Sequence, residues 1–145
     1  MSAEENKAIA QRYWDLWNTG NLTSIDEIFT PDHVFHDVAG GVSRGTELIK
    51  RNIPPWRTAV PDLHFVLEDV CVEGDKVIVR WTAHGTHRGD LEVARFIPKI
   101  PATGKQVTFF GIDIYHIRGG KIVESWRSWD RLSLLQQLGA LPTAG

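Results

Sequence analysis

The 145 residues carry 16 Lys and Arg against 18 Asp and Glu, a formal charge of −2, and are 42% hydrophobic and 23% charged. That describes one ordinary globular domain over residues 1–145, and it excludes a disordered chain and the basic surface that nucleic acid selects. No apolar run approaches the ~18 residues of a membrane span, MSAEENK opens without a secretion-signal pattern, and the lone Cys71 allows no intramolecular disulfide, so a cytoplasmic protein with no membrane partner is expected.

Ser2 and Glu5 form an S-x-x-E capping box. The helix it opens carries Ile9, Tyr13, Leu16 and Trp17 at helical spacing, with Ala10 and Trp14 beside them, and Gly20 closes it as a left-handed residue. A short second helix is expected from Thr23 or Ser24 through Ile25, Ile28 and Phe29, stopped by Pro31-Asp32. His33–Asp37 then reads as a strand and Ala39-Gly40-Gly41 as a loop. Gly45–Val60 has a third helical pattern, with Leu48, Ile49, Asn52, Ile53 and Trp56 on one side. Pro54-Pro55 inside it predicts a kink or break near residue 53, because proline removes a backbone donor and clashes with the preceding turn.

The period then changes. Leu63–Val72, Lys76–His87, Lys105–Ile117 and Lys121–Asp130 are long β-type runs, with hairpin turns at Gly74-Asp75 and Gly119-Gly120. Gly89–Gly104 reads as an irregular crossover with the character of a lid, Leu132–Leu138 as a last helix, and LPTAG as a frayed tail. Helices first and a meander of strands after predict an α+β fold, a curved antiparallel sheet wrapped around N-terminal helices with an internal pocket. Each long strand is apolar on both parities, so the sheet face away from the helices also seeks cover. A homodimer through that outer face is expected.

Metal signatures are weak: His33 and His36, and likewise His84 and His87, sit three apart, which on a strand sends them to opposite faces. No metal and no cofactor is expected. Cys71 shares a strand with Leu67 and reads as core. The informative residues are charges among apolar neighbours, Asp113 in GIDIYHI and Arg127 in ESWRSWD. An antiparallel hairpin with a three-residue or bulged connection at Gly119-Gly120 sets these two opposite each other, with Ser125 and Trp129 on the same face. A charge is tolerated there only if paired or hydrated, so an Asp113–Arg127 ion pair lining a cavity is predicted, either structural or catalytic. Asn52 either holds a cavity water or substrate carbonyl, or caps the backbone freed by the prolines. Six Trp suggest an aromatic chamber for a small hydrophobic molecule. Its walls are expected from Trp14, Trp17, Trp56, Trp81 and Trp129, with His36, Phe109 and Tyr115 beside them.

The segment Pro101–Val107, then GIDIYHI, GGKIVESW, W-x-x-W-D-R-L and LLQQLG, together with Trp17-Asn18-Thr19-Gly20 and Pro31-Asp32, closely resemble the SnoaL-like polyketide cyclase family. The resemblance covers nearly the whole chain. It implies a cone-shaped α+β barrel of the nuclear-transport-factor type, usually dimeric, with a pocket between helices and sheet. It also implies ring closure by intramolecular aldol condensation of a polyketide ester, without metal or cofactor. The family's acid/base aspartate falls on Arg127 here, its assisting histidine on Asp113, and a position where relatives often carry His on Ser125. A family aromatic matches Trp17, and a ligand-contacting position matches Asn52.

Three readings follow. In the first, a cofactor-free enzyme cyclises, isomerises or dehydrates a hydrophobic, polyketide-like carbonyl compound: Asp113 takes a proton α to a carbonyl or activates a water, Arg127 orients it and stabilises negative charge, and Asn52 holds a carbonyl oxygen or water. In the second, an Asp/Arg/Asn set activates water as in epoxide hydrolysis, with no second carboxylate evident on the same face. In the third, the chain is a small-molecule-binding dimer without catalysis.

Overall fold

The structure is a computed structural model and describes residues 2–37, 41–93 and 97–141. Ala39 and Gly40 of the expected loop, and residues 142–145 of the expected tail, lie outside these. The order of elements is α1 (Ala3–Thr19), α2 (Ile25–Ile28), β1 (Phe29–Asp37), β2 (Gly41–Arg44), α3 (Glu47–Ala59), β3 (His64–Glu73), β4 (Lys76–Thr86), β5 (Gln106–Arg118), β6 (Lys121–Trp129) and α4 (Arg131–Gln137). Among the described residues no helix is long and apolar enough to cross a membrane.

The strands form one curved sheet in the order β2-β1-β6-β5-β4-β3, open at both edges. All neighbours pair antiparallel except β1 and β6, which run parallel, so the sheet is mixed rather than wholly antiparallel. Helix α1 lies against the inner face. Its cap forms as the sequence predicts: Ser2 Oγ accepts from the Glu5 N–H at 3.1 Å, and Gly20 ends the helix at φ 75°. Its inward stripe, Ile9, Ala10, Tyr13, Trp14, Leu16 and Trp17, joins the core.

Several expectations give way. Strand β1 starts at Phe29 and runs through Pro31-Asp32, which do not act as a stop. Its pairing with β6 skips from Phe29 to Val34, so Pro31 sits where β6 asks for no N–H. Helix α3 is unbroken across Pro54 and Pro55. Both prolines and Arg51 are exposed and Lys50 is half-exposed, so water can satisfy the carbonyls that lose their helical donors. Cys71 is exposed rather than core. The β3–β4 register shifts between Leu67 and Asp69, which makes Glu68 a bulge. The extra residue reverses the parity, turning Cys71 outward opposite Ile78 and leaving Val70 and Val72 against the core.

A second bulge, at Val123, places the site. The β5–β6 hairpin closes tightly on Gly119-Gly120, with Arg118 opposite Lys121. The register then shifts between His116 and Ile117, and Asp113 comes opposite Arg127. Without the bulge, Trp126 would face Asp113 and Arg127 would point outward. Gly111 shares the inward face between Trp81 on β4 and Trp129 on β6. A Cβ there would lie 2.4 Å from Trp81 Cζ2 and 2.7 Å from Trp129 Cβ, so only glycine leaves room for both indoles.

Candidate active site

Between the inner sheet face and helices α1 and α3 lies a cavity of about 400 Å³. Trp17, Phe35, Leu48, Trp56, Phe65, Trp81, Phe109 and Trp129 supply its apolar wall. Arg127, Asp37, Arg131, Ser43, Asn52 and Glu92 are its polar groups. The aromatic wall is continuous: Trp56 meets Phe109 and Trp129 at ring-centroid distances of 5.7 and 5.9 Å, and Phe109 meets Trp129 at 5.3 Å. The end of α1 that carries Trp17 is fixed, because Arg57 Nη1 donates to the Trp17 carbonyl at 2.8 Å and to that of Leu63 at 3.0 Å.

Arg127 forms the floor. Its Nη2 donates to Asp113 Oδ2 at 2.7 Å and its Nε to Oδ1 at 3.0 Å, a two-point grip on a carboxylate whose side chain is 1% exposed. Trp81 Nε1 donates to Oδ1 at 3.0 Å and the Tyr115 hydroxyl to Oδ2 at 2.7 Å. The carboxylate therefore has donors on both oxygens, as an ionised group requires. Arg127 Nη2 also donates to Tyr13 Oη at 2.8 Å, and Trp17 Nε1 donates to the same oxygen at 3.0 Å. The guanidinium carbon lies 5.3 Å from the Trp14 ring centroid and 5.5 Å from that of Phe35. Among the described residues Nη1 has no protein acceptor, and Arg127 lines the cavity.

Burial works against the Arg127 charge, but the paired Asp113 carboxylate outweighs it and holds the guanidinium well above its ordinary range. Burial raises Tyr13, with Arg127 opposing in part, and raises Tyr115 strongly, so both stay protonated phenols. Further along the same strands His33 is fully buried, with Nε2 2.8 Å from the Oγ of Ser125, which lies in the row next to Arg127. Desolvation lowers its pKa to about 4.

At the mouth a second pair forms. Arg131 Nη2 and Nη1 donate to Asp37 Oδ2 and Oδ1 at 2.7 and 3.2 Å, and the Arg131 guanidinium carbon lies 4.6 Å from the Trp129 ring centroid. Asp37 is also the register partner of Arg127 across the parallel β1–β6 pairing. Asp37, Arg127 and Asp113 thus form a row across three neighbouring strands.

Of the predicted site residues, Arg127, Asn52, Trp17, Trp56, Trp81, Phe109 and Trp129 line the cavity. Four do not. Asp113 lies behind Arg127 with its oxygens occupied, and Tyr115 and Trp14 belong to the packed core. His36 points to the outer face, stacked on Trp126 at 5.1 Å, with Nε2 2.7 Å from Glu124 Oε2. Asn52 is exposed rather than inward, and stands at the rim. His33 and His36 do split between the faces of β1, buried and half-exposed; His84 is exposed on β4, while His87 lies just past the end of that strand, buried against Thr103. Among the described residues no three His, Cys, Asp or Glu side chains gather as a metal site. Asp37 and Arg131 join the site without a sequence signal that pairs them. The alternation Phe35–Asp37 and the motif W-x-x-W-D-R-L hold them, but nothing local says that they meet.

The family model described as SnoaL-like polyketide cyclase matches residues 7–138. The chain belongs to this family. Its fold recurs in a candidate polyketide cyclase from Bacillus cereus, 36% identical, with TM-score 0.79 over 95% of this chain and 83% of that one. AclR, a candidate hydroxylase from Streptomyces galilaeus, is 28% identical with TM-score 0.83 over 99% and 87%. TsrD from Streptomyces laurentii is 29% identical with TM-score 0.83 over 97% and 99%. No curated protein matches the chain in sequence. Within the family frame the inner sheet face carries a guanidinium on the last strand, and the carboxylate on the preceding strand holds it.

Proposed function

We propose that the protein is a cofactor-free enzyme of the cyclase type that acts on a hydrophobic carbonyl compound through an enolate. The observation that carries this reading is the Arg127 guanidinium, locked from behind by Asp113 and Tyr13, with Nη1 left to a tryptophan-walled cavity. The apolar body of the substrate lies between Trp17, Trp56, Phe109 and Trp129, and its carbonyl oxygen accepts from Nη1. Asp37, the wall carboxylate in the same row, takes the α-proton, with Arg131 orienting it. As the C–H bond breaks, the electron pair moves onto the carbonyl oxygen, where Arg127 stabilises it. One such preorganised donor is worth about 3–4 kcal/mol. The enolate carbon then attacks a second carbonyl, and Asp37 returns the proton to the new alkoxide. Asp113 serves here as the partner that positions Arg127 rather than as the base.

The test is exchange of the α-protons of an aryl β-ketoester into D₂O, followed by NMR. The wild type accelerates it, and Arg127→Met and Asp37→Asn each slow it by about 10²–10³-fold while Trp fluorescence still reports binding. Wild-type protein that binds without exchange leaves a binding protein instead. Water activation is the second reading, because Asp37, Arg127 and Asn52 share one cavity. It predicts labelled water oxygen in the diol formed from an epoxide.

The outer sheet face exposes Ile78, Phe110 and Ile112, 42%, 54% and 46% accessible, and we assign it to a homodimer. Ile112→Glu then yields monomer in light scattering; a monomeric wild type at 100 μM contradicts the assignment.

A further inference from the structure

We infer that the cavity selects uncharged carbonyl compounds over carboxylates, and that Asp113 sets this selection. The inference rests on the reading above, in which the ligand oxygen meets Arg127. A lone buried guanidinium would be a carboxylate receptor, because its Nε–Nη2 edge matches two oxygens at once. Here that edge is already taken, Nη2 by Asp113 Oδ2 at 2.7 Å and Nε by Oδ1 at 3.0 Å. An incoming carboxylate cannot displace Asp113 without also stripping it from Trp81 and Tyr115. What remains is Nη1, which suits a single carbonyl oxygen.

The charge balance agrees with the geometry. Arg127 and Asp113 cancel, Tyr13 and Tyr115 are neutral phenols, Asp37 and Arg131 cancel at the mouth, and Glu92 adds a negative charge there. A ligand anion entering this chamber gives up its water and meets no net positive charge, whereas a ketone or amide loses little. Asp113→Asn removes the negative charge, which frees one full positive charge within several ångströms of the ligand and leaves the two-point edge with a single, weaker acceptor.

Anthraquinone-2-carboxamide and anthraquinone-2-carboxylate, nearly equal in shape, test this by quenching of Trp fluorescence at pH 7.5. Wild-type protein binds the amide at least tenfold more tightly. Asp113→Asn moves the ratio toward the carboxylate by about 10–100-fold. Tyr115→Phe, which deletes one of the same hydrogen bonds but no charge, keeps the wild-type order. Equal binding of the two ligands by the wild type overturns the inference, and so does an Asp113→Asn ratio unchanged from wild type. If Asp113→Asn does not fold, the wild-type ratio decides. If neither ligand binds wild-type protein, the reading of the cavity itself has failed.

Discussion

Two Asp–Arg pairs sit on one wall, and they differ in almost everything but their 2.7 Å contact. At the floor the carboxylate is 1% exposed, held also by an indole and a phenol, and its guanidinium is ringed by aromatic faces. At the mouth the two partners are 15% and 21% exposed, and Arg131 rests on a single ring. Water can share the outer pair's solvation, whereas the inner carboxylate is sealed from it. The inner pair is therefore a fixed electrostatic element, its carboxylate held by two further donors, Trp81 and Tyr115, while the outer pair belongs to the entrance. The same two residue types take different roles because burial differs.

The largest consequence is for stability. Truncating one partner of a buried pair strands the other, at about 3–5 kcal/mol. Asp113→Ala is expected to cost that much in urea unfolding, and Asp37→Ala only about 1–2 kcal/mol because solvent screens the freed Arg131. Equal losses would erase the distinction between floor and mouth. A smaller effect concerns acid. His33, bonded to Ser125 beside the floor, has its pKa lowered by desolvation to about 4 against an ordinary value of 6.5. The unfolded chain then binds the proton first, so stability is whole above pH 6.5 and falls as pH drops toward 4. The loss is about 3 kcal/mol. His33→Gln is expected to flatten that part of the pH–stability curve, and an unchanged slope would place the acid sensitivity elsewhere.

Local patterns carried most of the architecture. The capping box at Ser2 and Glu5, the helix stop at Gly20 and the four long strands follow from spacing and turn chemistry within a few residues. The Asp113–Arg127 pair was legible too, because a hairpin converts sequence distance into register once a bulge is allowed at the turn side. What escaped was non-local. The Glu68 bulge reversed the face of Cys71, and nothing in LEDVCVE marks it. The parallel β1–β6 contact brings Asp37 to Arg131 across 94 residues, and no short motif reports a closure of that length. Asn52 shares a helical stripe with Ile49 and Ile53, yet a rotation of part of a turn leaves it at the rim. The place of Asp113 is legible in the sequence but its enclosure is not, since the sequence shows a carboxylate but not the donors that surround it.

Arg127 Nη1 is proposed to receive the carbonyl oxygen of the ligand, and a crystal structure with an aromatic ketone in the cavity would show it. The expected oxygen lies about 2.7–3.2 Å from Nη1, with Asp113 still gripped by Nε and Nη2. A ketone oxygen turned to the mouth, or Asp113 swung into the cavity to meet the ligand itself, would contradict it.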